Sequence, residues 1–178
     1  NVTSLPDCVR IGVDDPSYDV PANVAGDFGV GDFYIEMDIS GTDLPINYSF
    51  CAGGCPSFNY GALFIRSGRE NHPYEGPSAF IATNGDVLFR VHAEEELIIE
   101  KVLPDIANSA VTYHLEFLRR GSKLVAEIDG KKYEKTITKE IGAVAAELLK
   151  RAPLRFRGNH VTSDYQPLIL NVTNISIN

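Results

Sequence analysis

Two carboxylates, Glu36 and Asp38, stand two residues apart in the run YIEMDIS. On an extended strand this spacing sends both to one face. Glycoside hydrolysis uses paired carboxylates as nucleophile and acid/base, about 5–5.5 Å apart in retaining enzymes. The next position on that face is Ser40, so the series stops at two. The plainer reading is a solvated polar face behind Phe33, Ile35, Met37 and Ile39.

Three further segments carry groups with chemical potential. Asp14, Asp15 and Asp19 in DDPSYD place three carboxylates in one turn, the oxygen-rich setting Ca²⁺ takes, although acidic turns are common without an ion. The loop IRSGRENHPYEG offers Arg66, Arg69, Asn71, His72 and Tyr74. Planar hydrogen-bonding groups beside an aromatic ring suit a sugar, which stacks its ring and bonds its hydroxyls. GNHVTSDYQP supplies a similar set in Asn159, His160, Asp164 and Tyr165. No Ser/His/Asp order, nucleophile elbow, P-loop or dinucleotide fingerprint is present.

The elements that must position these groups are strands. In GDFYIEMDIS, Phe33, Ile35, Met37 and Ile39 alternate with Tyr34, Glu36, Asp38 and Ser40, the period of a half-buried strand. Across 111–137, Tyr113, Leu115 and Phe117 alternate with Thr112, His114 and Glu116; RRGS then turns, Leu124, Val125 and Ile128 resume, and Asp129-Gly130 turns again. DG between apolar runs is a strong hairpin signal, because Gly accepts the positive φ of a tight type I′ turn. Asn84-Gly85 joins SAFIAT to DVLFRVHA in the same way. CVRIGV, ALFIRS (with Leu63 and Ile65 on one face), EEELIIEKVL, PLRFRG and LILNVTNISIN read as further strands. His92 and His114 fall on surface strand positions, and Glu94–Glu96 read as a solvated strand edge that discourages edge pairing. KEIGAVAAELLKR, 139–151, reads as a short helix or arm. Ten to twelve short strands spaced by turn residues indicate an all-β, two-sheet antiparallel jelly roll spanning 1–178 as one domain, with neighbouring termini.

Bulk properties narrow the function. The chain has 178 residues, 44% apolar, and a net charge of −8. Lys150, Arg151, Arg155 and Arg157 are interrupted by apolar residues, which argues against nucleic-acid binding. No apolar run reaches the length of a membrane-spanning helix. The chain starts at Asn1 without Met, as a processed product would. Four N-x-S/T sequons, at Asn1, Asn47, Asn171 and Asn174, favour a secreted or cell-surface glycoprotein. In LILNVTNISIN, Ile175 and Ile177 share the core face, sending Asn174 outward. Asn171 falls inward unless a bulge intervenes, so Asn1, Asn47 and Asn174 are the expected acceptors. Of three cysteines, Cys51 and Cys55 would close a small loop in an oxidising compartment. The alternative joins Cys8 to one of them; a free Cys8, or an exposed edge strand, would offer a route to an oligomer.

The ordered segments together resemble the concanavalin A-like lectin/glucanase superfamily, above all its laminin-G-like domains. GDFYIEMDISG, SAFIATNGDVLFRV, TYHLEFLRRGSKLVAEIDGKKYE, PLRFRGN and LNVTNISI follow the family's order from Cys8 to Ile177. Tyr113 stands where the family often has Trp, and Arg157-Gly158-Asn159 replaces its double glycine. The resemblance implies an extracellular, non-catalytic module binding a glycan or a protein partner, as in cell adhesion, through loops at one rim. It places no calcium ligand, so the Asp14, Asp15 and Asp19 turn remains the only cofactor expectation, a Ca²⁺ ion. Laminarinase-type hydrolases of the superfamily carry E-x-D-x-E; against these, Glu36-x-Asp38 lies too early in the chain. A polysaccharide-cleaving enzyme is the alternative, and a structural ectodomain of a larger assembly a third.

Overall fold

A computed structural model describes residues 3–5, 8–11, 18–42, 60–68, 76–82, 84–92, 95–156 and 170–178. The strands are β1 (Thr3–Ser4), β2 (Cys8–Ile11), β3 (Tyr18–Val20), β4 (Phe33–Ser40), β5 (Tyr60–Arg66), β6 (Ser78–Ala82), β7 (Val87–His92), β8 (Glu95–Ile99), β9 (Thr112–Arg120), β10 (Lys123–Ile128), β11 (Lys131–Thr136), β12 (Leu154–Phe156) and β13 (Leu170–Ile177). Two helices join them, α1 (Ala22–Ala25) and α2 (Ala143–Lys150). The strands form two antiparallel sheets. The larger runs β1-β13-β4-β9-β10-β11, with β2 also on β13, and the smaller runs β3-β12-β5-β6-β7-β8. This is the expected all-β jelly-roll sandwich, and the pairing of Thr3 with Ile177 brings the chain ends together.

Alternation builds the larger sheet. Phe33, Ile35, Met37 and Ile39 of β4 are buried while their neighbours are half-buried, and β9 repeats this with Tyr113, Leu115 and Phe117. With no Trp available, phenylalanines bridge the layers. Phe33 and Phe117 from the larger sheet meet Phe89 from the smaller, with centroids 6.1 and 4.7 Å apart at tilted or edge-on angles. Phe64 adds a contact to Phe117 at 5.8 Å. Each such ring contributes about 1.5–3 kcal/mol through burial. The β10–β11 turn is the expected type: Asp129 and Gly130 both have positive φ, 47° and 80°.

Several positions differ from the sequence reading. A register shift between Ala62 and Phe64 turns β5 over, so Leu63 and Phe64 join the main core whereas Ile65 packs with Ala62 and Phe80 outside it. The run after Glu95 does not stay extended to Pro104: β8 ends at Ile99 and Lys101 takes φ 50°. Its amide is held there by Asp86 Oδ1, 2.7 Å away. Glu95 is not a solvated edge residue. It is buried and accepts from Thr138 N, Thr138 Oγ1 and Lys139 N at 2.7–3.0 Å. His92 is likewise buried, its Nε2 2.8 Å from Lys139 O. Both are drawn inward because they tie the segment after β11 to the smaller sheet. Neither β3 nor α1 was expected from the sequence; α2 falls within the expected helical stretch.

Candidate functional site

The residues that alternate away from the core on β4, β9 and β13 form one polar face on the larger sheet. Strand register decides who meets whom: Glu36 lies opposite Glu116, and Asp38 opposite His114. Glu127 of β10 continues the row beyond Glu116. Like charges placed directly opposite repel, so this arrangement needs something positive within it.

His114 occupies that place. Its Nδ1 is 2.8 Å from Asp38 Oδ1, and its Nε2 is 3.3 Å from Glu116 Oε1 and 3.9 Å from Glu36 Oε2. The hydrogen bond to Asp38, aided by that to Glu116, raises the imidazole pKa against the opposing effect of burial. Glu36 is held on both oxygens. Ser176 donates to Oε1 at 2.6 Å and Tyr34 to Oε2 at 2.8 Å. These bonds, Ser176 first, keep its carboxyl below the usual glutamate range. Burial pushes Asp38 upward, but bonds from Asn174 and His114 outweigh it and its pKa falls. Burial beside Glu36 pushes the Tyr34 phenol up, so it stays a donor.

The β13 contribution depends on a bulge. The register with β4 shifts between Thr173 and Ser176, and Asn174 adopts φ 51°. Asn tolerates this left-handed region better than most residues. The shift lets Leu170 and Val172, then Ile175 and Ile177, all face the core. It leaves Asn171 half-buried opposite Ser40 and Asn174 exposed, its amide donating to Asp38 Oδ2 at 2.6 Å. What results is a set of half-buried acceptors on rigid strands, with a phenol and an imidazole among them. It can accept hydrogen bonds from hydroxyls in fixed directions.

The residues singled out in the sequence are distributed differently. Arg66 is fully buried on β5, with Nε donating to Ala152 O, Nη1 to Phe28 O and Nη2 to Gly26 O at 2.6–3.1 Å. Burial lowers its pKa to about 10. It fastens the segments after α1 and α2 to the smaller sheet and offers nothing to a ligand, because the β5 shift turned it inward. Asp19 lies on β3 rather than in a turn, exposed and 3.4 Å from Arg155 Nε. Cys8 is an exposed free thiol. Arg69, Asn71, His72, Tyr74, Asn159, His160, Asp164, Tyr165, Asp14, Asp15, Cys51, Cys55, Asn1 and Asn47 lie outside the described residues. Glu36-x-Asp38 was the visible half of the site. His114 and Glu116 were read only as the outward positions of a strand.

The sequence matches no protein-family model and no curated relative. Its fold does match solved structures. Trypanosoma rangeli sialidase in complex with sialic acid aligns with a TM-score of 0.62 at 12% identity, over 99% of this chain and 26% of that one. The CBM40 of Ruminococcus gnavus IT-sialidase, bound to α2,3-sialyllactose, aligns with a TM-score of 0.58 at 8% identity, over 94% of this chain and 89% of that one. Domains LG4-5 of the mouse laminin α1 chain align at 0.48 and 7% identity, over 97% of this chain and 39% of that one. The chain thus spans about a quarter of the sialidase chain it matches. The fold is the concanavalin A-like jelly roll expected from the ordered strand series.

Proposed function

We propose that this domain is an extracellular, non-catalytic glycan-recognition module whose binding surface is the outer face of the larger sheet. The observation that carries the reading is the Tyr34, Glu36, Asp38, His114 and Glu116 cluster, held in place by Ser176 and Asn174 before any ligand arrives. Preorganised acceptors lose little entropy on binding. The likeness to a CBM40 seen with a bound sialylated sugar supports a carbohydrate for a ligand. The charge here refines that choice. A row of Glu36, Glu116 and Glu127 repels a sialic acid carboxylate and suits the hydroxyls of a neutral sugar. The number of N-x-S/T sequons in the chain favours a secreted or cell-surface setting. A role in adhesion, with the rim loops adding contacts, follows the same reading.

Hydrolysis is the competing reading, because register sets Glu36 against Glu116 as two carboxylates facing one space. A glycosidase keeps one carboxyl protonated as the acid, by raising its pKa. Glu36 and Asp38 are both shifted the other way, so neither is the protonated acid that cleavage needs.

A glycan array read with and without EDTA tests the proposal. Binding to neutral glycans that falls at least tenfold in Glu36→Gln and Glu116→Gln supports it. Turnover of a polysaccharide that disappears in Glu36→Gln would replace it with the enzyme. Binding confined to sialylated glycans would overturn the assignment to this face.

A further inference from the structure

The gap between His114, Glu36 and Glu116 has the shape and chemistry of a divalent-metal site. One donor atom from each of the three residues falls within 4.8 Å of the other two. Nε2 of His114 is 3.3 Å from Glu116 Oε1 and 3.9 Å from Glu36 Oε2. Tetrahedral zinc with bonds of about 2.0–2.2 Å sets its ligand atoms about 3.3–3.6 Å apart, so the two His114 spacings already lie within a few tenths of an ångström of that geometry, and the two carboxylates, within 4.8 Å of each other, close on the ion by side-chain rotation.

The surroundings match what a metal ligand needs. Nδ1 of His114 faces Asp38 Oδ1 at 2.8 Å, so that nitrogen is already engaged. That leaves Nε2 turned toward two carboxylates. An imidazole nitrogen and two carboxylate oxygens thus converge on one space. Carboxylate–histidine pairs of this kind orient the imidazole and raise its basicity toward a metal. Glu36 has its own support in Ser176 and Tyr34. The sheet register explains why three donors converge without a loop: Glu36 and Glu116 are cross-strand partners, and His114 precedes Glu116 by two positions on the same face.

We propose that His114 Nε2, Glu36 and Glu116 bind one Zn²⁺-class divalent cation, with Asp38, Ser176 and Tyr34 as the supporting shell. One nitrogen and two carboxylate oxygens suit zinc; Ca²⁺ prefers six or more oxygens. Three protein ligands leave zinc a fourth position. His114 is 43% exposed in its side chain, so that position opens to solvent and accepts water or a ligand hydroxyl. The site shares its face with the glycan reading and stands without it.

Calorimetric titration of the full chain with ZnCl₂ alone, in EDTA-treated non-chelating buffer and with Cys8→Ser to remove an exposed thiol, tests this. Wild type is expected to take up one equivalent that is missing in His114→Gln and in Glu116→Gln. Asp38→Asn should keep the stoichiometry and bind about 10–100-fold more weakly. Millimolar Ca²⁺ should not displace the ion. A ¹⁵N shift of the His114 imidazole on adding zinc reports the location directly, and thermal melts confirm that each variant is folded. Zinc uptake unchanged in His114→Gln, or displacement by Ca²⁺, overturns the assignment. Glycan binding that persists without any zinc uptake would sink the metal site and leave the glycan reading intact.

Discussion

The two sheets turn opposite characters outward. On the larger sheet the outer face is polar and partly open, and it sets carboxylates against each other around one imidazole. On the smaller sheet Ala62, Ile65 and Phe80 are buried with Leu88 packed against them. Its main charges are paired there: Arg90 donates to Glu96 Oε2 at 2.7 and 3.2 Å while lying 6.0 Å from the centroid of the Phe80 ring. One face is a second small core; the other holds opposed carboxylates around one imidazole in fixed geometry. Carboxylates set directly against each other cost a fold more than a packed apolar layer does, which supports the proposal that a ligand meets the polar face.

The largest test of this contrast is truncation in the smaller sheet. Phe80→Ala should cost about 3 kcal/mol of stability, as large-to-small changes at buried sites do, and should leave ligand binding at the other face unchanged. Chemical denaturation beside a binding assay checks both. A loss below about 1 kcal/mol would show that this face is not a packed layer. On the larger sheet, Asn174→Val should cost about 1–2 kcal/mol, because a β-branched residue resists the positive φ of the bulge. It also removes the donor to Asp38.

A smaller, pH-dependent effect belongs to the polar face alone. The folded-state pKa of His114 is raised, so its stabilising contribution is complete below the unfolded value of 6.5 and is lost as pH rises through the folded one. Glu36 and Asp38 are lowered; their contribution is present above unfolded values of 4.5 and 3.8 and is lost as pH falls through the folded ones. The face therefore stabilises the fold most between roughly pH 4.5 and 6.5. In EDTA, the denaturation midpoint should fall modestly from pH 5.5 to pH 8, and His114→Gln should remove that part of the fall. An identical pH profile in the variant would contradict the ion-pair geometry. Smallest of all, Glu116→Gln should leave stability unchanged or raise it by up to about 0.5 kcal/mol, since it relieves opposed charges, while weakening ligand binding. A clear destabilisation would mean that Glu116 is there for the fold.

Much of the fold was legible because period-two alternation is local. Phe33 to Ser40 and Thr112 to Phe117 announce their inner and outer faces, and Asp129-Gly130 announces its turn. Irregularities were harder. The β5 shift turned Arg66 from an apparent loop ligand into a buried clamp, and no residue in ALFIRS signals it. The bulge at Asn174 was needed for Leu170, Val172, Ile175 and Ile177 all to reach the core, and the sequence posed that as a condition without resolving it. The site itself was half visible. Glu36 and Asp38 share a face by spacing, but His114 and Glu116 join them only through the pairing of β4 with β9, strands far apart in the chain. Cross-strand register over that distance leaves no local mark. His92 and Glu95 show the reverse error: polar residues at strand ends read as solvated, yet each is buried by bonds to the 138–139 segment.

The account's central claim, that ligand meets the outer face of the larger sheet, is tested most directly by an amide-resolved NMR titration with the strongest neutral glycan from the array. Shifts concentrated at Glu36, Asp38, His114, Glu116 and Ser176, and absent from Phe80, Leu88 and Arg90, are the predicted result. Shifts confined to the smaller sheet or to the rim loops, with β4 and β9 silent, would contradict it.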